Sequence, residues 1–244
     1  MRIDAFAIRL RPRTNMEAAD LGVRLCQSSA RSVFACYWMV ALPTAALTMV
    51  TYWIEPWLPG LALWLAKPWL DRTILFVLSR AAFGQTTSLA DLLQARRQLW
   101  WRQLISTWTI RRLSPWRSFT QPVYQLEGLR GRRLHKRVAK IRHGRTGAAA
   151  LMTSIFATAE PLLTMGLLSL AFWLTPKGYE PDLGKLWQGQ ASAASQLGIQ
   201  GAYAAVVLFL EPFFVAAGFA MYVNRRVELE AWDIEQEFRR AFSI

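Results

Sequence analysis

The stretch from Ala148 to Leu174, AAALMTSIFATAEPLLTMGLLSLAFWL, decides the fold. It contains 27 residues and a single charge, Glu160, near its centre. A helix of this length reaches about 40 Å, which is enough to cross a lipid bilayer with some tilt. The stretch from Leu197 to Val223 has the same length and also carries one charge, Glu211. Two such stretches predict an integral membrane protein.

Two more spans are predicted in the N-terminal half of the chain. Residues 32–54 carry no charge and have Tyr or Trp near both ends, as expected for the aromatic belts of a span. Residues 61–83 contain Lys67, Asp71 and Arg72, so a soluble hairpin is the alternative there. The predicted fold is therefore all-α, with transmembrane helices at about 32–54, 61–83, 148–174 and 197–223.

Amphipathic surface helices are predicted before, between and after the spans, all on the cytoplasmic side. Thr14-x-x-Glu17 is typical of a capping box, and the helix that it opens is expected to lie on the membrane surface. The apolar face of this helix would carry Ala19, Val23, Cys26 and Ala30. Further surface helices are predicted over 89–113, over 125–142 and, at the C-terminus, over 224–242.

Positive charge is concentrated between the second and third spans. The net charge is +13, and the stretch 96–145 alone holds 14 Lys or Arg and one acid, so it accounts for the whole excess. Since basic loops stay on the cytoplasmic side, the segment 84–147 and both termini are predicted to be cytoplasmic. The expected location is the inner membrane of a bacterium, crossed four times by a single membrane domain, 1–244.

Charged residues inside the spans form the first candidate site. Lys67, Asp71, Arg72, Glu160 and Glu211 lie at similar predicted depth. Charges at such depth face the protein interior and pair with one another, so we expect an ion-pair cluster. A proton or cation path is the alternative. Because three acids would face two bases, one Glu is expected to be protonated at neutral pH.

The basic segment is the second candidate site. Each Lys or Arg near anionic lipid contributes roughly 1 kcal/mol to membrane attraction, which favours binding of lipid head groups. A protein partner is the alternative, and nucleic acid is not expected beside membrane spans. The predicted lipid-binding residues are Arg96, Arg97, Arg102, Arg111, Arg112, Arg132, Arg133, Lys136 and Arg137.

Enzyme motifs are not found in the sequence. Both histidines, His135 and His143, lie in the basic segment and are expected to be solvated. Two cysteines, Cys26 and Cys36, give neither a disulfide framework nor a metal-ligand pattern. No cofactor, no metal ion and no enzymatic activity are therefore expected.

Several runs of sequence resemble a known family when taken together. They are KPWLDR at 67–72, VLSRA at 77–81, QLEGLRG at 125–131 and RRVELEAWDIE at 225–235. The chain resembles a family of uncharacterised bacterial inner-membrane proteins. Its last run is more distantly similar to membrane domains associated with glycerophosphodiester phosphodiesterases. The resemblance implies a subunit of an envelope complex and assigns no catalytic residues.

These observations favour a non-enzymatic scaffold or subunit of a bacterial envelope complex. Its expected partners are other inner-membrane proteins and anionic membrane lipids. The alternative function is a small transporter or channel that works through Glu160 and Glu211.

Overall fold

The computed structural model describes residues 13–97, 99, 114–175 and 192–232, and these ranges contain helices and turns but no strand. The all-α prediction is confirmed for this part of the chain. The helices are α1 Asn15–Ser28, α2 Ala30–Val50, α3 Leu58–Ala81, α4 Leu89–Arg96, α5 Arg117–Leu126, α6 Gly131–Arg142, α7 Thr146–Leu174 and α8 Ala193–Glu230.

Helix α8 is the axis around which the other helices pack. It has 38 residues, and most of its side chains over 211–224 are buried. It does not break at the predicted end of the fourth span, residue 223, but continues to Glu230. Ala231 then adopts a left-handed conformation, with φ 52°, which ends the helix. Residues 233–242 of the predicted C-terminal helix lie outside the described residues.

Helix α1 packs against α8 along one face. Its N-cap is Thr14, whose side chain accepts a hydrogen bond from the backbone N–H of Glu17, as the capping motif predicts. The buried face contains Ala19 and Cys26 as expected, and it is centred on Gly22, which touches the backbone of Ala216 in α8. The helix therefore packs onto protein along this face.

Helices α2 and α3 form an antiparallel hairpin whose tip lies at the start of α8. Tyr52 donates a hydrogen bond to Gln196 at 3.0 Å, and Gln200 donates one to the carbonyl of Pro56 at 3.1 Å. From this tip α3 runs beside α8 and is buried along most of its length. This packing places the charged residues of α3 inside the bundle.

In the part of the chain that the structure describes, three helices are long and apolar enough to cross a membrane, which indicates a membrane protein. They are Ala30–Trp53, in which a 3-10 turn extends α2, then α7 and α8. Helix α3, the predicted second span, has 24 residues but also four charges, and it is not among these three. The total of four spans therefore stays a prediction.

The basic segment folds differently from the surface helices predicted for it. Helix α4 confirms the start of the predicted helix 89–113, Arg97 and Leu99 are helical too, and residues 98 and 100–113 lie outside the described residues. The helix predicted over 125–142 is wrong at its start, because Gly128 and Gly131 have positive φ and separate α5 from α6. Helix α5 inserts into the bundle, where Ser118 touches Gly218 of α8.

A buried charge cluster

Four helices bring five charged side chains together beside the middle of α8. Lys67 and Asp71 stand four residues apart in α3 and so share a face of that helix. Glu211 comes from α8, Glu160 from α7 and Arg117 from the first residue of α5. We call these five residues the charge cluster.

The charge cluster is a chain of alternating acids and bases. The ammonium of Lys67 contacts Glu160 and lies 2.9 Å from Oε2 of Glu211. Nη2 of Arg117 lies 2.9 Å from Oε1 of Glu211 and 3.3 Å from Oδ2 of Asp71. Each base therefore bridges two acids, and Glu211 contacts both bases. Such a chain offsets much of the cost of burying its charges.

Four of the five residues predicted for the intramembrane cluster are in it, but Arg72 is replaced by Arg117. Arg72 follows Asp71 directly, so its side chain leaves α3 about 100° away from that of Asp71. Its guanidinium donates a hydrogen bond to the carbonyl of Leu99 at 2.9 Å. The cation between Asp71 and Glu211 is Arg117, which the sequence analysis assigned only to the basic segment.

Residue spacing in α5 contains a signal that could have identified Arg117. Phe119 and Val123 are four residues apart and are both buried, so they give α5 an apolar face. A helix with such a face, next to a membrane bundle, is expected to pack into it. The guanidinium of Arg117 also lies 5.3 Å from the ring centroid of Phe214, which adds a cation–π contact.

The exposed fraction of the acidic side chains increases along the row of ion pairs, from Asp71 through Glu211 to Glu160. The side chain of Asp71 is 0% exposed, that of Glu211 is 1% exposed and that of Glu160 is 16% exposed. Glu160 lines a cavity of about 150 Å³ together with Lys67 and Arg117. The remaining wall is formed by Trp64, Ser114, Thr153, Phe156, Ala157 and Phe214.

Several oxygens at the cluster and in its cavity make no hydrogen bond within the described part of the chain. They are the hydroxyls of Tyr37, Ser114 and Thr153 and Oδ1 of Asp71. Pro161 has no N–H to donate to the carbonyl of Ala157, which adds another acceptor beside the cavity. Buried polar atoms of this kind usually bind water or protons, or carry a function.

A second ionic network surrounds the last turns of α8. Arg137 of α6 donates to Glu127 at 2.8 Å and also pairs with Glu230. Tyr222 donates to the other oxygen of Glu127 at 2.7 Å. Arg137 was predicted to bind lipid, but it is engaged in these ion pairs and its side chain is only 19% exposed.

The other predicted lipid-binding residues are exposed wherever the structure describes them. Helix α6 buries Leu134, Val138 and Ile141, and four cations project from its opposite side. Three of these cations, Arg132, Arg133 and Lys136, were predicted, and Lys140 was not. Arg96 and Arg97, at the end of α4, are exposed too. Arg102, Arg111 and Arg112 lie outside the described residues.

Metal ligands do not cluster in the described residues: no group of three or more His, Cys, Asp or Glu could hold an ion there. Both cysteines are buried and unpaired with each other. Comparison with protein-family models, with curated proteins and with solved structures found no match. The resemblance to inner-membrane proteins therefore stays a prediction, and the function has to be argued from geometry.

Proposed function

We propose that this protein is a non-enzymatic scaffold or subunit of a bacterial envelope complex. It lies in the inner membrane, with both termini and the basic segment on the cytoplasmic side. Its two outward-facing surfaces support the proposal: an apolar helix that suits other membrane proteins, and a basic helix that suits anionic lipid. The charges inside the bundle pair mainly with one another, as expected if they hold the helices together.

The apolar surface is the C-terminal half of α7, and it is the observation that carries the proposal. Only 6% of the apolar stretch of α7 is buried, compared with 72% for α8. After Pro161 nearly every side chain of α7 is exposed, including Leu163, Leu167 and Leu170. A helix that stands out into lipid in this way offers a long contact surface to the spans of another protein.

The basic surface is the outer side of α6. Arg132, Lys136 and Lys140 follow one another at intervals of four residues, so they form a stripe along the helix, with Arg133 beside it. Each of these charges contributes roughly 1 kcal/mol of attraction to an anionic leaflet. Lipid head groups are therefore the preferred ligands of this stripe, and nucleic acid is not among the proposed partners.

Affinity purification of the full chain from native membranes in mild detergent tests the scaffold function. We expect a defined set of membrane proteins to co-purify, and we expect the triple variant Leu163→Ala, Leu167→Ala, Leu170→Ala to lose them. The matched control is Leu42→Ala, Leu47→Ala, Val50→Ala, which removes exposed apolar side chains from α2. Recovery of the wild-type chain without partners would contradict the proposal.

A small transporter or channel is the second candidate, and the cavity beside Glu160 favours it. Glu160→Gln and Glu211→Gln discriminate between the two functions. In a transporter both variants lose flux in reconstituted vesicles while assembly stays intact. In a scaffold they weaken assembly or change little, and the wild-type vesicles show no flux to lose.

A further inference from the structure

The charge cluster has an excess of one negative charge. Asp71, Glu160 and Glu211 face Lys67 and Arg117, so three carboxylates share two cations. Helix α2 presents the neutral hydroxyl of the buried Tyr37 near Glu211 and Asp71, and the further cation of α3, Arg72, donates to the carbonyl of Leu99. A net charge costs several kcal/mol at the depth of a bilayer core. One further positive charge would remove this cost.

The proximity of Asp71 and Glu211 shows where one further positive charge fits in the cluster. Oxygens of both carboxylates lie against the same nitrogen of Arg117, which keeps them within about 6 Å of each other. Two ionised carboxylates in contact repel each other, whereas a single proton between them makes a strong hydrogen bond. Oδ1 of Asp71 has no hydrogen-bond donor among the described residues.

We infer that the charge cluster binds one exchangeable proton, held between Asp71 and Glu211 and reached through the cavity beside Glu160. The cavity is polar and large enough for several water molecules, which Ser114, Thr153 and the carbonyl of Ala157 can bind. Ala157 is itself exposed and forms part of the outer edge of the cavity. The inference holds for a scaffold as well as for a transporter.

Lys67 completes the path between the cavity and the buried pair. Water delivers a proton to Glu160, which becomes a neutral carboxylic acid. Lys67 then donates one of its own protons to Oε2 of Glu211 and accepts the proton of Glu160, so it is an ammonium before and after the step. Both contacts needed for this relay are present, with Glu160 on one side of the Lys67 nitrogen and Glu211 on the other.

Infrared spectroscopy of the purified full chain in lipid nanodiscs at pH 7 tests the charge count. We expect the C=O band of one protonated carboxyl per chain. Asp71→Asn abolishes the band, and so does Glu160→Gln, because each leaves two acids facing two bases. Lys67→Gln doubles the band, because three acids then face one base. Glu17→Gln, at an exposed acid in α1, leaves the band unchanged.

Absence of the band in the folded wild type, or its persistence in folded Asp71→Asn, would overturn the inference. Helix content from circular dichroism shows which variants fold. If Asp71→Asn does not fold, Glu160→Gln replaces it in this test.

The path is tested by transferring the protein to D₂O. Ala157→Leu closes the mouth of the cavity and slows deuteration of the band at least tenfold. Ala171→Leu, at an exposed alanine of the same helix, does not; equal rates in both variants would exclude the cavity as the path.

Discussion

Arg117 connects the basic segment to helices α3 and α8. Its guanidinium reaches Asp71 of α3 and Glu211 of α8, both of which are completely buried, and it is the first residue of a helix of only 10 residues. Its loss would leave two carboxylates with one fewer cation, because Lys67 contacts only Glu211 of this pair. The energetic role of Arg117 can therefore be measured by removing it.

Arg117→Met is expected to destabilise the protein by about 3–5 kcal/mol, since it leaves buried carboxylates uncompensated. The free energy of unfolding is measured by titration with SDS in mixed micelles. Arg132→Met is the matched control, because Arg132 is exposed on α6, and a surface change of this kind stays within about 0.5 kcal/mol. Equal losses in the two variants would show that Arg117 has no special role.

Two glycines set how closely helices approach α8. A Cβ at Gly22 would lie 2.2 Å from the carbonyl oxygen of Ala216, and one at Gly218 would lie 2.5 Å from backbone of Ser118. Gly22→Ala and Gly218→Ala are each expected to cost about 1–3 kcal/mol of stability, because backbone has to move. Gly166→Ala is the control, since nothing lies within 4 Å of that position. The same SDS titration distinguishes them, and a neutral Gly22→Ala would contradict the close contact.

At the level of residues, the depth of each charged residue along its span could be predicted from the sequence. The direction in which its side chain leaves the helix could not. Glu160 and Glu211 were found because each is the lone charge of an apolar stretch, and lone charges have to be paired. Lys67 and Asp71 followed from their depth. Arg72 was assigned to the same cluster because adjacent residues have the same depth, although they leave the helix in different directions. Arg117 lies outside every predicted span, so depth alone did not include it.

At the level of elements, apolar length identified α2, α7 and α8 correctly, because a helix in lipid needs such a stretch. The end of α8 was misplaced, because Asn224 and Arg225 are polar and polarity suggests a boundary. In the structure the side chain of Asn224 accepts a hydrogen bond from the backbone N–H of Arg13 and donates one to its carbonyl. Asn224 therefore holds the segment that leads into α1 against α8. Polar residues here indicate where a span is expected to leave the lipid, whereas the helix itself continues beyond them.

Helix α4 starts with a reciprocal cap that depends on pH. The backbone N–H and the hydroxyl of Ser88 both donate to Oδ2 of Asp91 at 2.9 Å, which lowers the pKa of Asp91, with a smaller effect from Arg80. Because the folded state prefers the ionised carboxylate, the cap stabilises α4 above the ordinary pKa, near 4. This stabilisation is lost as the pH falls through the lower, folded-state pKa.

Hydrogen exchange of the α4 amides, corrected for intrinsic rates, measures this effect. We expect protection in 89–96 to be constant above about pH 5 and to fall in more acidic solution. Ser88→Ala removes the donor hydroxyl and lowers protection at neutral pH. Protection that rises on acidification, or that does not respond to Ser88→Ala, would contradict the assigned cap.

At the level of the whole molecule, the two ends of α8 differ in charge. Around its last turns lie Arg137 and Arg145, which pair with Glu230 and Glu228. Around its first turns lie the tip of the α2–α3 hairpin and the neutral side chains of Gln196 and Gln200. This asymmetry supports the predicted orientation, in which the basic end is cytoplasmic.

Glu55 and Arg132 therefore lie near opposite ends of a helix about 57 Å long, one beside the hairpin tip and the other on α6. We expect a cysteine introduced at Glu55 to react with a membrane-impermeant maleimide in intact spheroplasts. A cysteine at Arg132 should react only after the spheroplasts are opened. The native Cys26 and Cys36 are 0% and 1% exposed, so the wild-type chain gives little background labelling. Labelling of both sites in intact spheroplasts would place α6 and the hairpin on one side of the membrane, which is incompatible with four spans and with a cytoplasmic lipid-binding stripe.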